Sequence, residues 1–253
     1  MIRCRLTFVK KVAATAFFGC ATVGVVVASA AAEETRAVLE LFTSQGCDSC
    51  PAADRLLGEL AKEPKMIAMT AAVDYWDYLG WKDTLALAGH GNRQRAYARV
   101  RGDRDVFTPQ VIVNGAAQAL GSDLAQIERA IAQTRRIAAI LSIPLSLKVA
   151  DGKLVINAPA GKIMEKSEVW LCPLSKAVNV AITRGDNKGK SITYHNVVRR
   201  WIKIGEWTGG AASWTVPIAD WKVSTVDKVA VIIQEGSAAA PGPMLAAATT
   251  SLH

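Results

Sequence analysis

Metal-binding and haem-binding side chains are scarce in this chain. Its 253 residues include three histidines and five cysteines. His90 and His195 stand far apart, and Pro51 rather than histidine follows Cys50, so the Cys-x-x-Cys-His motif of covalent haem attachment is absent. A zinc site would lack a second ligand pair. No acidic or basic block, no internal repeat and no low-complexity tract occurs. The formal net charge of +8 includes Arg3, Arg5, Lys10 and Lys11, all near the start. An apolar stretch from Val12 to Ala28 and small residues around Ala30 to Ala32 follow them. That order reads as a secretory signal over residues 1–32, because about 17 apolar residues is the lower limit for a membrane span. Cleavage would remove four of the 30 basic residues and none of the 22 acidic ones, leaving +4. Such a charge is an ordinary basic surface, so nucleic acid is not an expected partner. Nor is stable membrane insertion expected after cleavage. The expected location is periplasmic or secreted, an oxidising setting.

What remains includes one close cysteine pair, Cys47 and Cys50, in Phe42-Thr43-Ser44-Gln45-Gly46-Cys47-Asp48-Ser49-Cys50-Pro51. Upstream, Val38–Phe42 is a nearly continuous apolar run suited to a buried strand. Downstream, Ala53, Leu56, Leu57 and Leu60 fall on one helix face, and Pro51 suits a first helical turn. The pair therefore sits at a helix N-terminus, where free N–H groups and the dipole favour a thiolate, the form that attacks disulfides. Asp48, acidic and adjacent, opposes that effect. Cys47 is expected to be the exposed nucleophile and Cys50 the resolving thiol. The competing uses are a structural disulfide, which gains little from so short a loop, and a Cu(I) site. Against the Cu(I) site, Met66 and Met69 are three apart on a predicted strand and cannot share a face.

Strand-like and helix-like runs alternate up to about Arg136, which predicts an α/β sheet over residues 33–141. Beyond Leu141 come short β-rich runs between turn signals, so residues 142–253 are expected to form a separate all-β antiparallel sandwich without catalytic residues. The stretch Ser237–Pro243 reads as a loop, and Cys172 as a buried apolar residue.

A second string, Val106-Phe107-Thr108-Pro109-Gln110-Val111-Ile112-Val113-Asn114-Gly115, resembles the glutaredoxin segment that holds a cis-proline. With Leu39–Cys47, Val73–Asp83, Arg93–Tyr97 and Tyr194–Arg199, the chain is similar to a family of bacterial exported thioredoxin-like proteins of unknown function (domain-of-unknown-function family 1223). Ala72 stands where a histidine often precedes Val-Asp-Tyr-Trp in that pattern. The resemblance implies a thioredoxin-like first domain and a thiol–disulfide oxidoreductase without cofactor, acting on protein or small-molecule disulfides and dithiols. The alternative is a thiol-based metal carrier or a non-catalytic binding module.

Other site residues are expected on position. Thr108 and Pro109 would pair with an extended substrate. Trp76 follows a strand's carboxyl end, where ligands gather. Asp74 would cap a helix or move a proton. Glu40 could serve as a buried proton acceptor, although strand alternation turns it away from the face of Leu41. The arginines from Arg93 to Arg101 read as a solvated helix face.

Overall fold

The computed structural model describes residues 34–163 and 165–252, together with Met1; the expected signal segment lies outside the described residues. Strand β1 (Ala37–Thr43) and strand β2 (Met66–Ala72) run parallel, connected through helix α1 (Cys50–Leu60). Both strands are buried along their whole length. This explains their near-continuous apolar text, because each face meets a different layer. On one face, Leu39 and Leu41 pack with Ala53, Leu57 and Leu60 of α1 and with Ile127 and Ile131 of helix α3 (Leu124–Thr134). On the other, Phe42 packs against Tyr97 of helix α2 (Ala88–Arg101). Strand β3 (Gln110–Val113) pairs antiparallel with β1 and turns at Asn114-Gly115 into β4 (Ala117–Leu120). Asp123 starts α3 by accepting a hydrogen bond from the Gln126 N–H at 2.9 Å.

The expectation of an α/β domain followed by a separate all-β one is overturned. The described residues are mostly β, with twelve strands and three α-helices, and nine of the strands share one mixed sheet. Residues Ala32–His253 form one compact unit. Strand β8 (Ser191–Val198) pairs parallel with β2 at Thr70 and Val197. It also pairs antiparallel with the fifteen-residue β7 (Ser167–Ala181). β7 in turn carries β9 (Ile202–Trp207) and β11 (Lys228–Ser237), and β11 pairs with β12 (Ala240–Ser251). The physical reason lies at the β2 edge. A strand buried on both faces cannot leave its outer backbone groups unpaired. β8 supplies partners there: Thr70 Oγ1 donates to the His195 carbonyl and Asn196 Nδ2 to the Ala68 carbonyl, both at 2.8 Å.

The remaining strands, β5 (Ser146–Ala150), β6 (Lys153–Ala158) and β10 (Ala212–Pro217), form a three-stranded sheet. Leu154 and Ile156 of β6 pack with Val169, Leu171, Trp207, Val229 and Val231 of the large sheet. The sheet also curls back on its first strands. The Met244 N–H donates to the Asn114 carbonyl at 3.0 Å, and Asn114 Oδ1 accepts from the Val38 N–H at 2.7 Å. One local expectation is corrected as well. The expected loop at Ser237–Pro243 is a tight β11–β12 hairpin.

Candidate functional site

Cys47 and Cys50 form a disulfide of S–S length 2.09 Å at the start of α1, with Cα atoms 5.4 Å apart. Cys50 is the first helical residue and Pro51 fills the first turn. Ser49 occupies the N-cap without a side-chain cap bond; its Oγ lies 3.4 Å from Cys47 Sγ instead. The Cys50 N–H donates to the Cys47 carbonyl at 3.3 Å, and Pro51 brings no N–H to the first turn.

The expectation of an exposed Cys47 is corrected: Cys47 is 1% and Cys50 0% exposed, while Asp48 and Ser49 between them reach solvent. Two segments pack against the cysteine loop. Trp76 lies over Gly46, where an added Cβ would come within 3.1 Å of Trp76 Cβ. From the loop between β7 and β8, Asn187 Nδ2 donates to the carbonyls of Gln45 and Cys47 at 2.9 and 2.8 Å. The approach to the disulfide is framed further by Asp83, whose carboxylate accepts from the N–H groups of Gln45 (2.7 Å) and Leu85 (2.8 Å). Asp77 Oδ1 accepts from the Asp83 N–H at 3.0 Å, and Gln45 Oε1 accepts from Trp81 Nε1 at 2.8 Å. The Asp-Tyr-Trp-rich segment is therefore a brace for the cysteine loop. Neither Asp74 nor Asp77 caps α2, whose N-cap is Leu87, without a side-chain cap bond. Asp74 is half-buried.

The Thr108–Pro109 peptide is cis. Trp76 Nε1 donates to Thr108 Oγ1 at 2.8 Å, which brings both expected substrate-contact segments together. Pro109 also reaches the helix layer: a Cβ on Gly121 would meet Leu41 Cδ1 at 2.8 Å, Pro109 Cβ at 3.0 Å and Ala53 Cβ at 3.1 Å.

Glu40 faces the opposite side of β1 from Leu41. It forms a buried pair with Arg93, with Nε and Nη2 donating to its two oxygens at 2.9 and 2.7 Å. Tyr97 Oη donates to Glu40 Oε1 at 3.1 Å and accepts from Gln234 Nε2 at 2.8 Å. Arg93 is thus buried, correcting the solvated-face expectation for that arginine; Arg95 and Arg99 are exposed. Cys172 is fully buried, and burial raises its thiol well above the ordinary range. Met66 and Met69 fall in separate apolar clusters on the two faces of β2. Among the described residues no group of three or more His, Cys, Asp or Glu side chains is placed to hold a metal ion. No described helix is long and apolar enough to cross a membrane.

The buried acid of α1 is Asp54, which sequence reasoning passed over. It is 1% exposed, one helical turn after Cys50. A helical side chain leans toward the N-terminus and over the preceding turn, so Asp54 covers the turn that begins with Cys50. Thr43 Oγ1, both Asp54 oxygens and Tyr194 Oη are buried without a hydrogen-bond partner. Burial pushes Asp54 up to about 8; Thr43 opposes this and the Asp83 carboxylate adds to it. Burial likewise raises Asp83, against the N–H groups of Gln45 and Leu85. The i, i+4 spacing from Cys50 to Asp54 was the available signal. Gln45 and Asn187 had none, because their roles depend on loops that meet only in the fold.

Residues 38–234 match a family described as a protein of unknown function, DUF1223. The chain belongs to this family. Its structure is similar to the crystal structure of an Agrobacterium tumefaciens protein from a structural-genomics programme, at 31% identity and a TM-score of 0.76, over 86% of this chain and 94% of that one. It also shares a fold with HBP35 of Porphyromonas gingivalis, at 12% identity and a TM-score of 0.59, over 87% of this chain and 76% of that one. No curated protein matches this DUF1223 chain.

Proposed function

We propose that Cys47 and Cys50 are a redox-active pair and that the protein is an exported thiol–disulfide oxidoreductase. The observation that carries this reading is a disulfide closing a four-residue loop at the N-terminus of α1. A crosslink over so short a loop adds little stability, whereas helix N–H groups beside sulfur favour a thiolate once the bond is reduced. The likeness of the cysteine and Thr108–Pro109 strings to thioredoxin-like and glutaredoxin sequences supports the same reading. The basic, apolar and small-residue order of residues 1–32 supports export to the periplasm or beyond.

In the reducing direction, the Cys47 thiolate attacks a substrate disulfide and expels one substrate sulfur as a thiolate, which takes up a proton. Cys50 then loses its proton and attacks Cys47 in the mixed disulfide. The second substrate thiol leaves, and the Cys47–Cys50 bond re-forms. The substrate gains two electrons and the protein loses two. Asp54, whose burial raises its proton affinity toward that of a thiol, is in its ionised form the side chain suited to receive the Cys50 proton. Thr108 and Pro109 form the edge against which an extended substrate segment pairs, with Trp76 beside them. Access requires the segments packed around the cysteine loop to move, since both cysteines are buried.

The test is trapping in cells. Cys50→Ala leaves Cys47 unable to be resolved, so mixed disulfides with partner proteins or small thiols should accumulate and disappear on reduction. If neither single-cysteine variant traps a partner, and the native pair exchanges no faster than a small dithiol, the reading is refuted.

A further inference from the structure

Helix α2 buries Arg93, Gln94 and Tyr97. Arg93 and Tyr97 meet Glu40 on β1, whereas Gln94 serves the Thr108–Pro109 segment. Gln94 Nε2 donates to the Phe107 carbonyl at 2.8 Å and to Gln110 Oε1 at 2.9 Å, so one amide spans both flanks of Thr108–Pro109. Its Oε1 accepts from Tyr75 Oη at 3.1 Å. The directions are forced. A carbonyl can only accept, so the amide nitrogen must face Phe107 and the amide oxygen is left for Tyr75. Burial raises the Tyr75 hydroxyl above its ordinary range, against the bond to Gln94, so it keeps the proton that it donates. Across β3 and β4, Gln110 Nε2 donates on to Gln118 Oε1, which also accepts from Arg101 Nη2 at 3.3 Å.

The backbone on either side of Thr108 is thereby occupied. Gln94 holds the Phe107 carbonyl, the Gly121 N–H donates to the Pro109 carbonyl at 2.9 Å, and Pro109 has no N–H of its own. Among the described residues, neither the N–H nor the carbonyl of Thr108 has a backbone partner. Thr108 is half-buried, and its hydroxyl accepts from Trp76 Nε1. Tyr75 and Trp76 are chain neighbours, so one segment fixes Thr108 directly and the Phe107 carbonyl through Gln94. What is left is one N–H and one C=O of Thr108. A polypeptide strand can bond both groups, and a small disulfide has no backbone to offer them.

We propose that Gln94 is a positioning residue for substrate, holding the Thr108–Pro109 edge from behind so that it receives an extended polypeptide disulfide in preference to a small one. The inference rests on the redox reading of Cys47 and Cys50. Without the Gln94 amide, residues 107–110 lose their tie to α2, and the Thr108 groups must be ordered anew at each encounter. A small disulfide reaches Cys47 without that pairing, so its reaction does not depend on Gln94.

The test uses the reduced protein and two thionitrobenzoate mixed disulfides, one of a capped linear alanine–valine peptide with a single cysteine and one of mercaptoethanol. In each, the Cys47 thiolate attacks the aliphatic sulfur and expels coloured thionitrobenzoate. Cys50 then displaces the aliphatic thiol as the Cys47–Cys50 bond forms. Leaving group and attacking thiolate are common to both probes, so the ratio of the two rates isolates the pairing. The native protein should favour the peptide. Gln94→Leu should lower the ratio about tenfold through a slower peptide reaction, and Tyr75→Phe, at a half-buried position, about threefold. Gln94→Glu adds a readout that a packing role would not move. Its ionised carboxylate cannot donate to the Phe107 carbonyl, and its protonated form can. The ratio in that variant should therefore rise as pH falls, while the native ratio stays level. If Gln94→Leu does not fold, the other two variants decide. A native protein without peptide preference overturns the inference, as do folded variants that keep the native ratio or a Gln94→Glu ratio that ignores pH. A native protein that releases thionitrobenzoate from neither probe refutes the redox reading itself, and this inference with it.

Discussion

Replacing Asp54 with asparagine exchanges a buried acid for a neutral side chain of the same shape. In the folded chain the carboxyl titrates at about 8, against an ordinary 3.8. Between those values the native state holds a proton that the unfolded state has released. Asp54's contribution to stability is therefore complete below the unfolded value and is lost as pH rises toward 8, by about 1.4 kcal/mol per pH unit. His90 works in the other direction. Burial lowers it from 6.5 to about 4, so its contribution is lost as pH falls through that window. The two slopes oppose each other below pH 6.5, and above it His90 is neutral in both states. Urea unfolding with the disulfide intact should then show the native protein losing about 1.4 kcal/mol per unit above pH 6.5, the slope fading as pH reaches about 8. Asp54→Asn should show a distinctly flatter slope over the same range and should be the more stable protein near pH 8. A variant whose slope matches the native one would mean that the fold does not raise Asp54, and the high proton affinity that suits it to take the Cys50 proton would fall with it.

Arg93→Ala should destabilise the protein by about 3–5 kcal/mol, because it leaves the Glu40 carboxylate buried and unpaired; chemical denaturation checks this, and a loss below about 1 kcal/mol would contradict the pairing. Asn187→Ala removes both bonds that tie the β7–β8 loop to the cysteine segment. Reduction of the disulfide by dithiothreitol should become faster in this variant, and an unchanged rate would show that the loop does not control access. Gly121→Ala places a methyl group against Leu41, Pro109 and Ala53; a loss of about 1–3 kcal/mol in unfolding measurements is expected from such overpacking.

Much of the local structure follows from chain-neighbour patterns. The apolar text of β1, the helix-face spacing after Cys50, Pro51 in the first turn and Asp123 before α3 each depend on residues a few positions apart. Strand alternation likewise turned Glu40 away from Leu41, and its partner emerged only when α2 packed on that face. The unity of the large sheet was not legible. Its decisive junction is the single parallel pairing of Thr70 with Val197, between strands 127 positions apart in the chain. Periodicity describes the faces of a strand and carries nothing about which strand will occupy its edge.

The sequence alone determined that two thiols would stand at the start of a helix, three residues apart and free of histidine, because that depends on local spacing. Tertiary structure decided how they are covered. It brought Trp76 and Asn187 against the cysteine loop, braced Gln45 with Asp83, and enclosed Asp54 beside Thr43 and Tyr194. Burial is a property of everything that surrounds a group, so the exposure of Cys47 and the proton affinity of Asp54 were set only when distant strands closed into one sheet.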